Sequence, residues 1–213
     1  MRIASLQKQS FIDWEGKTAA VIFTKGCNFR CGYCHNPSLV LPHLLDRTPD
    51  LSEKEIMGYL LSRKNWLDGV VITGGEPTIQ PDLPTFMAAV KEAGFAIKLD
   101  TNGTNPDMLN ELIKNKLTDY IAMDIKTVLE EDKYSEIIGV QAGNLINRVA
   151  ASVELLRKGA VNYQLRTTLI PTMHTPEIKN RLVKEFKSDN YVLQEFRSGV
   201  TIETELSHKS FEI

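Results

Sequence analysis

Apolar segments of strand length alternate six times with helix-like segments, and this alternation limits the possible folds more than any other feature. Parallel strands need a crossover of about a dozen residues, usually a helix, so the pattern predicts a parallel α/β sheet. Six repeats fall short of the eight that close a full barrel. A partial barrel and an open two-sided sheet are both compatible with the pattern. The predicted strands are residues 19–24, 69–73, 95–99, 120–126, 161–170 and 191–196.

Charge and hydropathy argue against two classes of partner. The chain has 25 Lys and Arg residues against 27 Asp and Glu residues. It has no basic run interleaved with aromatic residues, which is the pattern that would predict nucleic-acid binding. No apolar segment is long enough to span a bilayer, and the first residues lack the apolar core of a signal peptide. We therefore expect a cytoplasmic protein with no membrane or nucleic-acid partner.

All three cysteines lie in the loop after the first predicted parallel strand. Cys27, Cys31 and Cys34 have the spacing C-x3-C-x2-C. A [4Fe–4S] cluster normally takes four cysteine thiolates, so three would leave one iron free for another ligand, as catalytic metal sites keep one position open. No cysteine remains for a second cluster. The loop therefore indicates a single cluster with one open iron.

Three other chemistries are compatible with the cysteine loop. Residues 31–35 match the C-x-x-C-H pattern of c-type haem attachment, which leaves Cys27 without a role. A zinc site of three cysteines and His35 would require the adjacent Cys34 and His35 to share one tetrahedron. A disulfide with one free thiol is disfavoured in a reducing compartment. The iron–sulfur cluster is the favoured interpretation.

The segment TKGCNFRCGYCHNP, residues 24–37, resembles the radical S-adenosylmethionine (SAM) superfamily. Within it, the segment is most similar to the glycyl-radical-enzyme activases, above all those of anaerobic ribonucleoside-triphosphate reductase. The resemblance implies an enzyme, an oxidoreductase in which S-adenosyl-L-methionine binds the open iron and is cleaved reductively to a 5′-deoxyadenosyl radical. It also implies a partial (β/α)6 TIM-like barrel of parallel strands.

The domain organisation expected on this basis is a single radical SAM domain over residues 1–213. Residues 1–17 are predicted as an extended N-terminal lead-in, residues 18–197 as the partial barrel and residues 198–213 as a C-terminal tail. No Gly-, Pro- or Ser-rich linker divides the chain.

Polar residues follow nearly every predicted strand, at the edge where parallel α/β folds carry their active sites. The resemblance implies a monovalent cation beside the cofactor carboxylate, bound by oxygen atoms of Asp100, Thr101 and Asp124. Taken singly, Gly74 and Gly75 also fit an ordinary turn, and Asp100 fits a turn-capping residue. Lys126 and Arg166 also fit an intramolecular ion pair. The cofactor contacts that the resemblance implies are Tyr33, Gly74, Gly75, Glu76, Asp100, Asn102, Lys126 and Arg166.

Histidines outside these strand ends have weaker assignments. His35 and Asn36 are expected beside the cluster, where hydrogen bonds to sulfur tune its potential. His43, His174 and His208 are predicted as surface or loop residues rather than ligands.

The partner that the resemblance implies is a glycyl radical enzyme, whose glycine loop is the substrate. Anaerobic ribonucleotide reductase is favoured, pyruvate formate-lyase is the second choice, and a flavodoxin or ferredoxin would donate electrons. One rival function is a small-molecule radical enzyme such as a 7-carboxy-7-deazaguanine synthase, which lacks the Cys-His-Asn-Pro and Asp-Thr-Asn-Gly segments. Another is an iron–sulfur electron carrier or sensor, which would not need the polar strand ends.

Overall fold

The computed structural model describes residues 1–203, which form a seven-stranded sheet in which strand order follows chain order. Six consecutive strands, β2 to β7, are parallel, and β1 pairs antiparallel with β2. Within residues 1–203 the edge strands β1 and β7 do not pair, so the sheet is not closed. The strands are β1 Ile3–Ser10, β2 Ala19–Thr24, β3 Gly69–Gly74, β4 Ala96–Thr101, β5 Tyr120–Asp124, β6 Asn162–Leu169 and β7 Tyr191–Glu195.

Helices connect the parallel strands, as the alternation predicts. Ser52 and Glu55 form a reciprocal capping box at the start of α3, and Asn105 caps α5. A short 3₁₀ helix, Pro77–Ile79, follows β3. The α-helices are α1 Pro37–Val40, α2 Pro42–Leu45, α3 Glu53–Ser62, α4 Leu83–Glu92, α5 Pro106–Lys114, α6 Glu131–Ile138, α7 Leu145–Arg157 and α8 Pro176–Glu185.

Helices α3 to α8 pack on one face of the sheet, whereas α1 contributes Leu39 and Val40 to a separate cluster with Ala4 and Phe23. Ile22, Ile72 and Leu99 point to that face and share a core with Leu60 of α3 and Phe86 of α4. Alternate residues of the same strands point to the opposite, inner face, because side chains alternate along a strand. Since helices α3 to α8 contribute no residue to the apolar cluster of the inner face, the fold is the partial barrel and not the two-sided sheet.

The inner face is apolar at the amino ends of the strands and polar at their carboxyl ends. Val21 and Val71 form a small cluster with Trp14, which enters from the β1–β2 loop. Further along β4, Lys98 and Asp100 face the same side. The apolar cluster therefore closes the bottom of the barrel and leaves polar side chains at its mouth.

The N-terminal segment is more regular than the extended lead-in that the sequence predicts. The extended lead-in forms a true strand, β1, whose Leu6 lies opposite Ile22 of β2. Residues 204–213 of the predicted tail lie outside the described residues. None of the helices in the described part of the chain is long and apolar enough to cross a membrane.

Candidate active site

A cavity at the carboxyl ends of the parallel strands brings together all of the residues that the sequence analysis assigns to cluster, cofactor or cation. They come from the cysteine loop after β2 and from the ends of β3, β4, β5 and β6. The predicted residues that line this cavity are Cys27, Cys31, Tyr33, Cys34, Gly74, Gly75, Glu76, Asp100, Thr101, Asn102, Asp124, Lys126 and Arg166.

The cysteine loop is held against the end of α6. The Arg30 N–H donates a 2.7 Å hydrogen bond to the carbonyl of Ile138, the last residue of α6. Gly139 follows with a φ of +67°, and a Cβ there would overlap the Arg30 carbonyl. Arg30 Nη1 also donates to the carbonyls of Cys27 and Phe29, both at 2.6 Å. Helix α6 therefore fixes the middle of the loop.

The cysteine thiols line the cavity wall without forming disulfides. The Phe29 N–H donates to Cys27 Sγ at 3.3 Å. Burial, with a smaller effect of the Glu76 carboxylate, raises the pKa of Cys27 to about 12, and burial also raises the pKa of Cys31. Metal binding requires thiolates, and burial disfavours them here. These sulfurs would therefore become ligands at neutral pH only if a strongly positive group bound beside them.

The three thiols do not form a ready ligand set for a single metal ion. Among residues 1–203 there is no group of three or more His, Cys, Asp or Glu side chains that could hold one metal ion. In a [4Fe–4S] cluster each thiolate binds a different iron, so the sulfurs lie farther apart than the ligands of one ion.

Gly74 and Gly75 allow two strand ends to approach each other. A Cβ on Gly74, whose φ is +119°, would overlap the Thr24 backbone, and a Cβ on Gly75 would overlap the Gly26 carbonyl. The Gly75 N–H donates to Thr24 O at 2.9 Å, and the Glu76 N–H donates to Gly26 O at 2.7 Å. The glycine pair is therefore required by the cysteine loop itself, in addition to any ligand.

Glu76 joins the ends of β3 and β4 through its buried carboxylate. Oε1 accepts hydrogen bonds from Thr78 N (3.0 Å), Thr78 Oγ1 (2.5 Å) and Thr101 Oγ1 (2.7 Å), and Oε2 accepts from Asn102 N at 2.7 Å. Burial raises the pKa of this carboxyl, although the four donors oppose the shift. Glu76 therefore lines the cavity while its carboxylate binds protein groups.

Asn102 connects the end of β4 to the cysteine loop. Its Nδ2 donates to Asn28 Oδ1 at 2.8 Å, and Asn28 Nδ2 donates to Thr104 Oγ1 at 2.8 Å. Asn102 Oδ1 accepts from Thr104 N and Oγ1, and Arg148 Nε of α7 donates to Thr104 O. The sequence analysis did not select Asn28 or Arg148, whose partners are distant in the chain.

Four charged side chains form a cluster across β4, β5 and β6. Arg166 Nε lies 2.9 Å from Asp124 Oδ1, and Lys126 Nζ lies 3.1 Å from Asp124 Oδ2. Arg166 Nη2 also lies 3.7 Å from Asp100 Oδ2. Burial opposes ionisation of Asp124, but the charges of Arg166 and Lys126 outweigh it and lower its pKa to about 2. The structure therefore contains the intramolecular ion pairs that the sequence analysis gave as the alternative assignment of Lys126 and Arg166.

Two buried polar atoms at the cavity have no hydrogen-bond partner in the described part of the chain, Tyr33 Oη and Asp100 Oδ1. Lys98 Nζ lies 3.3 Å from Asp100 Oδ1 as an ion pair without forming an aligned hydrogen bond. An unsatisfied buried polar group costs about 1–3 kcal/mol. One donor and one acceptor are thus available to a ligand at the same cavity.

His174 is buried and fixes the segment that carries Lys126, in contrast to its prediction as a surface or loop residue. Its Nδ1 accepts from Ile170 N at 2.9 Å, so Nε2 carries the proton and donates to Lys126 O at 2.9 Å. The Lys126 N–H donates to the hydroxyl of Tyr134 in α6 at 3.3 Å. Both backbone groups of Lys126 are therefore bound, which directs its ammonium to the cavity.

Comparison with known proteins identifies relatives over most of the chain. Residues 21–182 match the family described as the Radical SAM superfamily. A protein of Methanocaldococcus jannaschii with the provisional name glycyl-radical enzyme activating enzyme is 37% identical over 198 residues, which is 91% of this chain and 79% of the relative. The pyruvate formate-lyase-activating enzyme of Clostridium pasteurianum is 34% identical over 143 residues, covering 65% of this chain and 57% of the relative.

Solved structures share the fold at low sequence identity. The crystal structure of Streptococcus suis SuiB bound to S-adenosylmethionine superposes with a TM-score of 0.64 at 20% identity and covers 89% of this chain. The chain spans 45% of that SuiB chain and 57% of the Clostridium enzyme.

Proposed function

The chain belongs to the Radical SAM superfamily, and on this premise we propose that it is an activating enzyme that generates a glycyl radical on a partner enzyme. The observation that carries the proposal is the cavity in which three cysteines meet the polar ends of β3, β4 and β5. The names of the Methanocaldococcus and Clostridium relatives support the activase class.

The cavity residues fit the two cofactors of the superfamily, a [4Fe–4S] cluster and S-adenosylmethionine. Three thiols at one wall match a cluster with one iron left for the methionine end of S-adenosylmethionine. Tyr33 Oη, which has no hydrogen-bond partner in the described part of the chain, and Asp100 Oδ1, which forms only an ion pair with Lys98, would supply a donor and an acceptor for a polar ligand. A cluster held by these cysteines would supply the electron for the reductive cleavage of S-adenosylmethionine.

The chain's own residues would orient the cofactors and screen them from water. Lys126 and Arg166, which Asp124 already aligns, would present cationic groups to the methionine carboxylate and the ribose. Gly74 and Gly75 would offer backbone groups to the methionine amino group. Glu76 and Asn102 would act indirectly, by fixing the end of β4 and the cysteine loop in their relative positions.

A monovalent cation at Asp100, Thr101 and Asp124 stays part of the proposal. Its binding requires an exchange of contacts, because Asp124 now binds Arg166 and Lys126, and Thr101 Oγ1 donates to Glu76. A titration with sodium or potassium chloride against choline chloride at constant ionic strength tests it. A cation-specific rise in S-adenosylmethionine affinity would support the site, and equal effects of the three salts would contradict it.

The proposed substrate is a backbone glycine of a glycyl radical enzyme. A glycine Cα radical is delocalised over the adjacent amide nitrogen and carbonyl, and the glycine loop must enter the cavity for hydrogen transfer. Anaerobic ribonucleoside-triphosphate reductase is the favoured partner because residues 24–37 resemble its activases. Pyruvate formate-lyase is the second candidate because of the similarity to the Clostridium enzyme. A flavodoxin or ferredoxin would supply the electron.

The decisive experiment compares the partners directly. Anaerobically reduced, iron-loaded protein is mixed with S-adenosylmethionine and with either candidate partner, and a glycyl radical doublet is sought by electron paramagnetic resonance. A doublet with one partner identifies it. Formation of 5′-deoxyadenosine without a doublet on either would favour a small-molecule radical enzyme, and absence of 5′-deoxyadenosine would favour an electron carrier.

A further inference from the structure

The segment after β7 returns across the mouth of the barrel to the cysteine loop. β7 and β2 are the outermost parallel strands, at opposite ends of the parallel part of the sheet. Residues 196–203, which we call the strap, leave the carboxyl end of β7 and reach the loop that follows β2. In the described part of the chain, the strap thus connects the two sides of the open barrel at its mouth.

One end of the strap binds His35, the residue next to Cys34. The His35 and Phe196 rings stack with centroids 5.3 Å apart and an interplanar angle of 16°. His35 Nε2 donates to the Arg197 carbonyl at 2.8 Å. His35 was expected to hydrogen-bond cluster sulfur, but this ring nitrogen is engaged by the strap.

The other end of the strap binds Gly32, the residue next to Cys31. The Glu203 N–H donates to the Gly32 carbonyl at 2.9 Å, and the Glu203 carboxylate fills the space that a Cβ on Gly32 would occupy. Thr201 is buried and its hydroxyl donates to Glu203 O at 2.6 Å. Ile202 packs against the apolar cluster that contains Leu39 and Val40 of α1.

Cys27 packs, like Ile202, against the apolar cluster of Leu39 and Val40, but its hydrogen bonds do not involve the strap. Its sulfur accepts from Phe29 N and its carbonyl accepts from Arg30, while the neighbouring Gly26 N–H donates to Leu39 O at 2.8 Å. These groups belong to the loop itself and to α1. The strap contacts that bind the loop backbone and His35 therefore fall on the Cys31–Cys34 end.

We propose that the strap is part of the cluster site and that Phe196, the Arg197 carbonyl and Glu203 are positioning residues for Cys31 and Cys34. The strap fixes the residue on one side of each of these cysteines, so its release would free two of the three thiols while Cys27 stays in place. This inference rests on the proposed role of the cysteines as cluster ligands. The contact itself is present in the protein without cofactors and is testable there.

The test is residue-resolved alkylation of the reduced apoprotein by iodoacetamide under native conditions, followed by mass spectrometry. Phe196→Ala removes the ring stack, and His35→Phe keeps the stack but removes the hydrogen bond to Arg197. Phe11→Ala and His43→Ala change the same residue types at exposed positions and serve as matched controls. Thermal unfolding of each variant reports whether the fold is retained.

We expect Phe196→Ala to raise the alkylation rates of Cys31 and Cys34 at least about tenfold relative to Cys27, because exposure follows the population of the locally open form. His35→Phe should show a smaller rise with the same selectivity, and the controls should match the wild type. Unchanged rates at Cys31 and Cys34 in both variants would overturn the proposal. An equal rise at all three cysteines would also overturn it, since that pattern reports general loosening.

A second measurement separates this inference from the proposed function. Iron release to a chelator from the oxidised, iron-loaded protein should be faster in Phe196→Ala than in Phe11→Ala. Equal release rates would contradict a role of the strap in holding the cluster. Failure of the wild type to bind iron would instead contradict the cluster assignment, while the alkylation pattern would still test the strap contact.

Discussion

The backbone N–H of Asn102 donates a 2.7 Å hydrogen bond to Glu76 Oε2 and thereby joins the ends of two neighbouring strands beneath the candidate cofactor site. The Glu76 side chain is 1% exposed, so this bond forms away from water. Its other oxygen accepts from Thr78 and Thr101. Because four donors converge on one carboxylate, this position requires a side chain in which both terminal atoms accept hydrogen bonds.

Glu76→Gln should destabilise the fold. The amide oxygen can take over one set of bonds, but the NH₂ group must then face a donor such as Asn102 N–H. A buried donor without a partner costs about 1–3 kcal/mol, which urea unfolding would detect. Glu92→Gln, at an exposed position on α4, should change the free energy of unfolding by less than about 0.5 kcal/mol. Equal stability of Glu76→Gln and the wild type would contradict the network.

Gly75→Ala should disrupt the cysteine loop. The new Cβ would overlap the Gly26 carbonyl, a backbone atom that cannot move away alone. We expect a loss of at least about 2 kcal/mol in the free energy of unfolding and reduced iron binding. Gly58→Ala is the matched control, because Gly58 is exposed within α3 with no atom near the added Cβ. That change should stabilise the protein by about 0.5–1 kcal/mol.

His174 should make stability depend on pH. Burial lowers its pKa, so the folded protein binds fewer protons at this site than the unfolded chain, whose histidine pKa is about 6.5. The stabilising contribution is present above that value and is lost as pH falls through the folded pKa. Protonation would remove the Nδ1 acceptor for Ile170 N.

Unfolding by urea between pH 7 and pH 5 tests this dependence. His174→Gln should show a shallower loss of stability on acidification than the wild type, and His43→Gln, at an exposed position, should follow the wild type. Identical pH profiles for His174→Gln and wild type would show that another group is responsible.

Lys126→Met should weaken S-adenosylmethionine binding more than it weakens the fold. A hydrogen bond to a charged group contributes about 1.5–3 kcal/mol, so equilibrium binding should show an affinity loss of about 10- to 100-fold. Lys114→Met on the exposed face of α5 should leave the affinity unchanged. If both variants bind alike, Lys126 has no cofactor contact and serves only Asp124.

Replacing any one of Cys27, Cys31 and Cys34 by Ala should abolish 5′-deoxyadenosine formation and leave the fold largely intact. Each thiol lies at the cavity and forms no disulfide, so its loss removes a ligand but little packing. Iron content, product formation and melting temperature are measured together. Turnover by any of the three variants would contradict the site assignment.

The repeating part of the fold was predictable because it depends on local pattern. Buried parallel strands such as β2 and β3 are continuous apolar runs, which differ clearly from amphipathic helices. The edge strand β1 was predicted only as extended chain, because five of its eight residues are at least partly exposed and its partner determines its pairing. The four-residue helices α1 and α2 are too short to show a period.

The strand-end positions of the site residues predicted that these residues meet at one cavity, as they do, but they did not predict which groups bond to each other. Asn28 and Asn102 are 74 residues apart, and His174 and Lys126 are 48 residues apart. No local pattern reports such pairs, because they arise only when strand ends meet. For the same reason, the sequence did not indicate that the Glu76 carboxylate is occupied by protein donors.

The strap also imposes an order on biosynthesis. The His35 ring and the Arg197 carbonyl that it binds are 162 positions apart, so the ribosome synthesises the three cysteines long before the strap. In the nascent chain the cysteine loop lacks its contacts with the strap, so the three thiols are not yet fixed in position to bind iron. From the proposed role of the strap, we expect stable cofactor binding only after translation has passed the last parallel strand.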